Sequence, residues 1–191
     1  MPLTLSGSGG VTFPNGSNQV AAGRVAQVVF AHKKDIQTIA ATAGITEISG
    51  LSASITPISA TSKILVQSYI VMASSSGSSL ASGILLYRNG SNIEDAIGNA
   101  ASNRPRVWLR NDSYAGISSI GSFNGDHGPN ILSGFYLDSP NSTSVQTYSV
   151  RLRPQTNSHN FVVNRSGSDS DAPDMWGGRA TSGLILMEIA Q

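Results

Sequence analysis

Apolar and polar positions alternate with period two along most of this chain, which is the repeat of a β-strand and not of a helix. Val25, Gln27, Val29 and Ala31 share one side of a strand whose other side carries Ala26, Val28 and Phe30. A strand apolar on both sides is one covered on both sides. Residues 36–39 give a second short stretch. Leu51, Ala53 and Ile55 alternate with Ser52, Ser54 and Thr56 until Pro57, which cannot donate to a ladder, stops the strand. Residues 63–73 carry the strongest pattern, and the serine cluster at 74–79 closes it. Residues 80–88 resume the alternation and end at Asn89-Gly90, a pair suited to the positive φ angles of a tight hairpin, with 91–94 returning. Weaker strands are expected at 107–109 and 114–120, separated by an Asn111-Asp112 turn. Residues 131–137 and 145–152 form two clear strands joined through Asp138-Ser139-Pro140-Asn141. Residues 160–164 are short, 166–178 form a polar loop, and 184–189 end the chain on an almost wholly apolar strand.

Helical patterns are poor, because the alanine-rich stretches 21–26 and 39–43 are too short to stand as helices. Short strands at close spacing without an internal repeat predict an all-β fold, an antiparallel jelly-roll sandwich. Residues 1–24 differ from the rest. A Gly/Ser run at 6–10 and few large apolar side chains leave them unable to build a core. They read as a flexible leader or as an extended arm. The alternation of Val11 and Phe13 before the Asn15-Gly16 turn favours an arm docking through Leu5, Val11, Phe13 and Asn15. The division is therefore an arm over 1–24 and a jelly-roll head over 25–191.

Several strands are apolar on both sides: Ile84 and Leu86 against Leu85 and Tyr87, and Leu184 and Leu186 against Ile185, Met187 and Ile189. In a lone two-layer sandwich one side of each sheet should be polar. Cover must come from loops or from copies of the chain, and self-association is the expectation. Tyr87, Phe135, Tyr136, Arg151 and Arg153 are the candidate interface residues.

Composition narrows the function. Charged residues are 12% of the chain and the net charge is +1, too little to gather nucleic acid or an anionic membrane. The absence of cysteine removes disulfides, thiolate zinc sites and cysteine nucleophiles. No apolar run reaches the roughly 18 residues of a membrane span, and Met1-Pro2-Leu3 does not open a signal peptide. The only glutamates, Glu47, Glu94 and Glu188, have no partner at a spacing that suggests glycoside hydrolysis. Neither a G-x-S-x-G elbow nor a clustering of His32, His127 and His159 points to a nucleophile. No catalytic residues are assigned. In the 168–174 loop Asp169, Asp171 and Asp174 could ligate calcium, but the later Gly and Glu of an EF-hand are missing, and a solvated acidic loop is the alternative. No other cofactor is implied.

Nine arginines against three lysines favour bidentate pairing with carboxylates. Arg104, Arg106 and Arg110 form one group and Arg151 and Arg153 another, with Asp138, Asp112 or Glu94 as partners within the chain. The Asn-x-Ser/Thr triplets at Asn15, Asn89, Asn111, Asn141 and Asn164 reflect a chain rich in Asn and Ser.

Taken in order, the segments 50–57, 62–66, 137–141, Thr147-Tyr148 and 184–189 resemble virion structural proteins of tailed phages, with marine and cyanobacterial phages nearest. The opening 5–16 resembles the leader of their fibre proteins. The resemblance implies a trimeric jelly roll of the C1q/tumour-necrosis-factor type, in which one sheet packs around the threefold axis, and it carries no catalytic residues. It implies a capsid decoration, cement or short appendage on the particle surface. The arm would dock on the major capsid protein, a tail protein or another virion protein. The rival role is a fibre tip that recognises a host-surface glycan, with Trp108, Tyr114 and Trp176 as stacking platforms and buried core aromatics as the plainer reading. A polysaccharide-cleaving enzyme is the third reading.

Overall fold

The computed structural model describes residues 4–6, 10–12, 18–19, 24–75, 80–113, 129–155, 160–167, 169, 171 and 177–191. Phe13, Asn15, Tyr114, Trp176, Asp174 and the strand expected at 114–120 lie outside these residues.

In chain order the strands are β1 (Thr4–Ser6), β2 (Gly10–Thr12), β3 (Asn18–Gln19), β4 (Arg24–Lys33), β5 (Gln37–Ile39), β6 (Thr46–Ile55) and β7 (Lys63–Ser74). They continue as β8 (Leu80–Arg88), β9 (Ser91–Asn92), β10 (Leu109–Ser113), β11 (Asn130–Asp138), β12 (Gln146–Pro154), β13 (Phe161–Val163) and β14 (Ser182–Ala190). The described residues contain no α-helix, only a single 3₁₀ turn at Glu94–Ala96. In the amino-terminal segment β1 pairs antiparallel with β2, and β2 with β3. Strand β4 opens at Arg24, one residue before the expected boundary.

The head is a jelly-roll-like sandwich of two antiparallel sheets. One has the order β4-β14-β7-β11, with β13 and β5 continuing along the far end of β7. The other has the order β6-β12-β8-β10, with β9 added beside β8. The alternating pattern of each strand fills the space between them. Ile48, Leu51 and Ile55 of β6 and Ile84 and Leu86 of β8 meet Ile64, Val66 and Ile70 of β7 and Leu184 and Leu186 of β14. Tyr148, Val150 and Leu152 of β12 and Phe161 of β13 complete the core. Each such side chain is worth about 1.5–3 kcal/mol when taken out of water.

Turn chemistry behaves as its residues dictate. Asn89 and Gly90 both take positive φ, 50° and 82°, and join β8 to β9 in a tight hairpin. Two other expectations are corrected. Strand β6 begins at Thr46 and not near 51, because Gly50, at φ 79°, absorbs an irregularity in the pairing with β12 and lets the strand continue. Asn111 and Asp112 lie inside β10, paired with Ser82 and Ala81, and it is Val107 and Trp108 that lie outside the strand.

The polar residues inside the sandwich are held by specific partners. Asp138 accepts hydrogen bonds from the Tyr148 hydroxyl (2.6 Å) and the Arg88 guanidinium (2.5 Å). Asn164, at φ 64°, donates to the carbonyls of Lys33 and Asp35, both at 3.0 Å, and accepts from the Ser182 hydroxyl. The buried Lys33 ammonium reaches Asp35 at 2.9 Å and the Ser49 hydroxyl at 3.2 Å.

Glu188 is buried, and its carboxylate accepts from Gln27 Nε2 (2.6 Å) and from the Ile58 amide (2.8 Å). Burial acts to raise its pKa, but the donors around it, Gln27 and the Ile58 amide among them, outweigh burial and hold it below the ordinary carboxyl value. A depressed carboxyl pKa contributes stability that is present above the unfolded value and lost as pH falls through the folded one. The urea midpoint of the protein therefore drops as pH falls through the acidic range below the ordinary carboxyl value. Glu188→Gln, which cannot titrate, flattens that drop, and an unchanged slope in the variant would remove Glu188 as its source.

Candidate functional site

The pairing registers place whole rows of side chains on the outer surface of the β4-β14-β7-β11 sheet. His32, Gly183, Tyr69 and Ser133 form one row; Phe30, Ile185, Gln67 and Phe135 the next; and Val28, Met187, Leu65 and Leu137 the third. Val71 with Ile131 extends this surface at one end, and Val25 with Ile189 at the other, beyond a register shift between Glu188 and Ile189. Phe135 is 77% exposed, Ile131 71% and Phe30 52%. Gly183 has a local role here. A Cβ at this position would lie 2.6 Å from Tyr69 and 2.9 Å from Phe30, so its absence lets both rings close over the strand. Phe30 also stacks on His32 at 5.6 Å between centroids. Strands four across at about 4.8 Å and three full rows about 6.8 Å apart give this face a footprint of about 400 Å².

The other sheet is treated differently by the chain. Its outer surface carries Gly83, Leu85 and Tyr87 of β8, yet Leu85 is only 3% exposed. The segment after the Glu94–Ala96 turn runs over this side. Its Trp108 amide bonds the Ile84 carbonyl at 2.8 Å, and Arg106 clamps it through the Gly98 carbonyl (2.6 Å) and Glu94 (3.1 Å). Val107 sits on Gly83, where a Cβ would fall 2.1 Å from its methyl carbon. A side chain at 83 and Val107 cannot share that space. Gly83→Val therefore lifts the segment, costs about 1–3 kcal/mol, and makes the 98–108 peptide the first site of limited proteolysis. Cleavage no faster than in the wild type would mean that the segment is held without this seat.

Of the five candidate interface residues, the structure gathers no single patch. Phe135 lies on the exposed face described above, and Tyr136, the next residue, turns inward against the core. Tyr87, Arg151 and Arg153 lie on the opposite sheet, where Arg151 stacks over the Tyr87 ring at 4.1 Å and pairs with Glu47 at 3.7 Å. The residues that sequence reasoning missed on the exposed face, Phe30, Val28 and Ile131, were legible as outward positions of apolar strands. Only the register shows that they share one face.

Trp108 is half-buried and packs against the core, its indole N–H 3.4 Å from the Phe135 carbonyl, the position of a core aromatic at the sandwich edge. The Asp169 carboxylate faces Arg179 and, at 3.8 Å, Arg165, so its charge is already met by two cations. Among the described residues no three acidic or histidine side chains converge on a metal position. Leu5 pairs with Val11 across β1 and β2.

A cleft of about 520 Å³ lies between the 104–107 segment and the ends of β8, β10 and β12. Arg104, Arg110 and Arg153 line it together with Pro105, Val107 and Gln155. The sequence had placed these arginines in two groups expected to pair with carboxylates. Arg106 does so with Glu94 and Arg151 with Glu47, whereas Asp138 takes Arg88, from neither group. No protein-family model matches the chain, and no curated protein does.

Proposed function

We propose that the protein is a non-enzymatic structural component of a phage particle. Its head assembles as a homotrimer through the outer face of the β4-β14-β7-β11 sheet, and its amino-terminal segment docks on a capsid, tail or other virion protein. The observation that carries the assembly is the uncovered apolar face itself. Phe30 and Val28 on β4 and Ile131, Phe135 and Leu137 on β11 stand exposed at the two margins of one face, bridged by the half-buried Ile185, Met187 and Leu65, where soluble monomers rarely leave a contiguous apolar patch of several hundred Å².

A second copy of the chain is the occupant this face fits. Its three full rows carry no carboxylate and no lysine or arginine, and Lys63 stands only at its end beside Ile189, so it offers little for a charged partner to recognise. Its footprint of about 400 Å² is about half of the roughly 800 Å² per partner of a standard stable interface. In the arrangement that the sequence resemblance implies, one sheet of each subunit lines the threefold axis, and this is the sheet with an apolar exterior. The particle location rests on that resemblance. Three amino-terminal segments bound at once would hold the head by avidity that one lacks.

Native mass spectrometry of the full chain tests the reading. Assembly gives a species at three times 19.8 kDa, whereas a stable single subunit at micromolar concentration overturns it.

A further inference from the structure

We propose that the arginine-lined cleft on the β6-β12-β8-β10 sheet binds an acidic sugar, with the ligand's carboxylate held by Arg104 and Arg153 and its ring laid against Pro105 and Val107. Three segments distant in the chain supply the lining, residues 81–83, 104–110 and 153–155. Among the described residues, neither Arg104 nor Arg153 has a carboxylate partner, although Arg88, Arg106, Arg151, Arg165 and Arg179 each have one. No acidic side chain stands among the residues lining the cleft. In a chain of net charge +1, a local excess of guanidinium is a feature of this place and not of the surface at large.

The rest of the lining selects the kind of anion. Guanidinium groups present a planar fork that matches a carboxylate in two parallel hydrogen bonds. The apolar wall of Pro105 and Val107 gives nothing to a bare inorganic ion but suits the C–H face of a pyranose. The Gln155 amide adds a donor and an acceptor for hydroxyls. A volume of 520 Å³ falls in the range of small-ligand sites and leaves room for a short oligosaccharide. Nucleic acid fits less well, because its binding draws on phosphate contacts spread along a backbone, and the charge here is confined to one cleft.

Gly83 is what makes the site. By seating Val107 on the strand it brings Arg104 and Pro105 over β8, opposite Arg153. The cleft lies on the sheet opposite the apolar assembly face, so it stays open whether or not the head trimerises. The two readings can therefore fail separately.

Calorimetry on the full-length protein supplies the test, using short oligosaccharides of hyaluronan, polygalacturonate and sialic acid as acidic probes. Maltohexaose serves as the neutral probe and inorganic phosphate as the bare anion. At least one acidic oligosaccharide is expected to bind, more weakly as salt rises, while maltohexaose does not. Arg104→Gln and Arg153→Gln each weaken that binding by about tenfold or more, the worth of a charge-assisted hydrogen bond. Arg151→Gln, on the same sheet but outside the cleft, leaves it unchanged. Binding that neither cleft variant alters overturns the proposal, as does failure of all three acidic probes. Phosphate binding as tight as the best sugar would show an anion site without sugar recognition, which also overturns it.

Discussion

Glutamate at both Ile131 and Phe135 converts the assembled protein to monomers that keep their fold. Both side chains stand on the outside of β11, 71% and 77% exposed in the single chain, so the folded subunit loses almost nothing when they change, within about 0.5 kcal/mol at each surface position. The assembly loses much more. A large apolar side chain buried at an interface contributes about 1.5–3 kcal/mol, and a carboxylate forced into the same place finds no cation among the adjoining rows. The loss of two anchors exceeds about 4 kcal/mol, which weakens association by more than a thousandfold. Native mass should fall to that of one chain while the thermal midpoint of the variant monomer stays where the sandwich core sets it. Unchanged assembly in the double variant would place the subunit contact elsewhere. A midpoint lowered along with the mass would mean that the face is part of the fold itself.

The largest loss of stability is expected from Asp138→Ala. Asp138 is the last residue of β11, turned inward, and its carboxylate takes both the Tyr148 hydroxyl and the Arg88 guanidinium. Burial, reinforced by the adjacent carboxylate, pushes the Tyr148 phenol far above its ordinary value, so it remains a neutral donor at every accessible pH. Removing the acceptor strands a buried hydroxyl and leaves the cation unpaired. Breaking a fully buried pair costs about 3–5 kcal/mol, but Arg88 is about a third exposed and water recovers part of that loss. About 3 kcal/mol remains, or a fall of about 6–12 °C in the melting temperature for a domain of this size. Tyr148→Phe, which removes the donor but leaves the Arg88 pair, should cost only about 1 kcal/mol. If urea titration finds the two variants equally damaged, the ion pair contributes nothing and the hydroxyl carries the whole effect.

The sequence pattern located most of the sandwich strands because their evidence is local. The alternation of 63–73, the Asn89-Gly90 pair and the apolar run at 184–189 needs no distant residue to be read, and each lies where it was expected. Misreadings occurred where a residue with strong turn chemistry sat inside a strand. The strand read from the alternation of 51–56 begins at Thr46 and passes through a bend at Gly50. Asn111 and Asp112 read as a turn, yet pairing with β8 outweighs their weak strand preference. Glu188 is the one charged residue within the apolar run at 184–189. It is buried, because Gln27 and the Ile58 amide approach it from segments far away in the chain.

Self-association was inferred from apolar residues on both sides of β8 and β14, and those two strands have different outcomes. The outside of β8 is sheltered within the chain, since Val107 and its segment lie across Gly83 and Leu85 is buried. The outside of β14 belongs to the face that no described segment crosses, with Phe30 and Phe135 exposed on either side of it. The two strands look alike in sequence. Only one of them belongs to a face left exposed.

The sequence by itself determined the class of fold, the position of most strands and the tight hairpin at Asn89-Gly90, because side-chain alternation and turn preference act between residues a few positions apart. It also determined that more apolar surface exists than two inner faces can hold. Tertiary structure alone decided which apolar face is left exposed among the described residues, which carboxylates Arg88, Arg106 and Arg151 find, and that Arg104 and Arg153 come to line a cleft. Each of those outcomes depends on where a strand or loop dozens of residues away comes to rest, and no local preference encodes that distance.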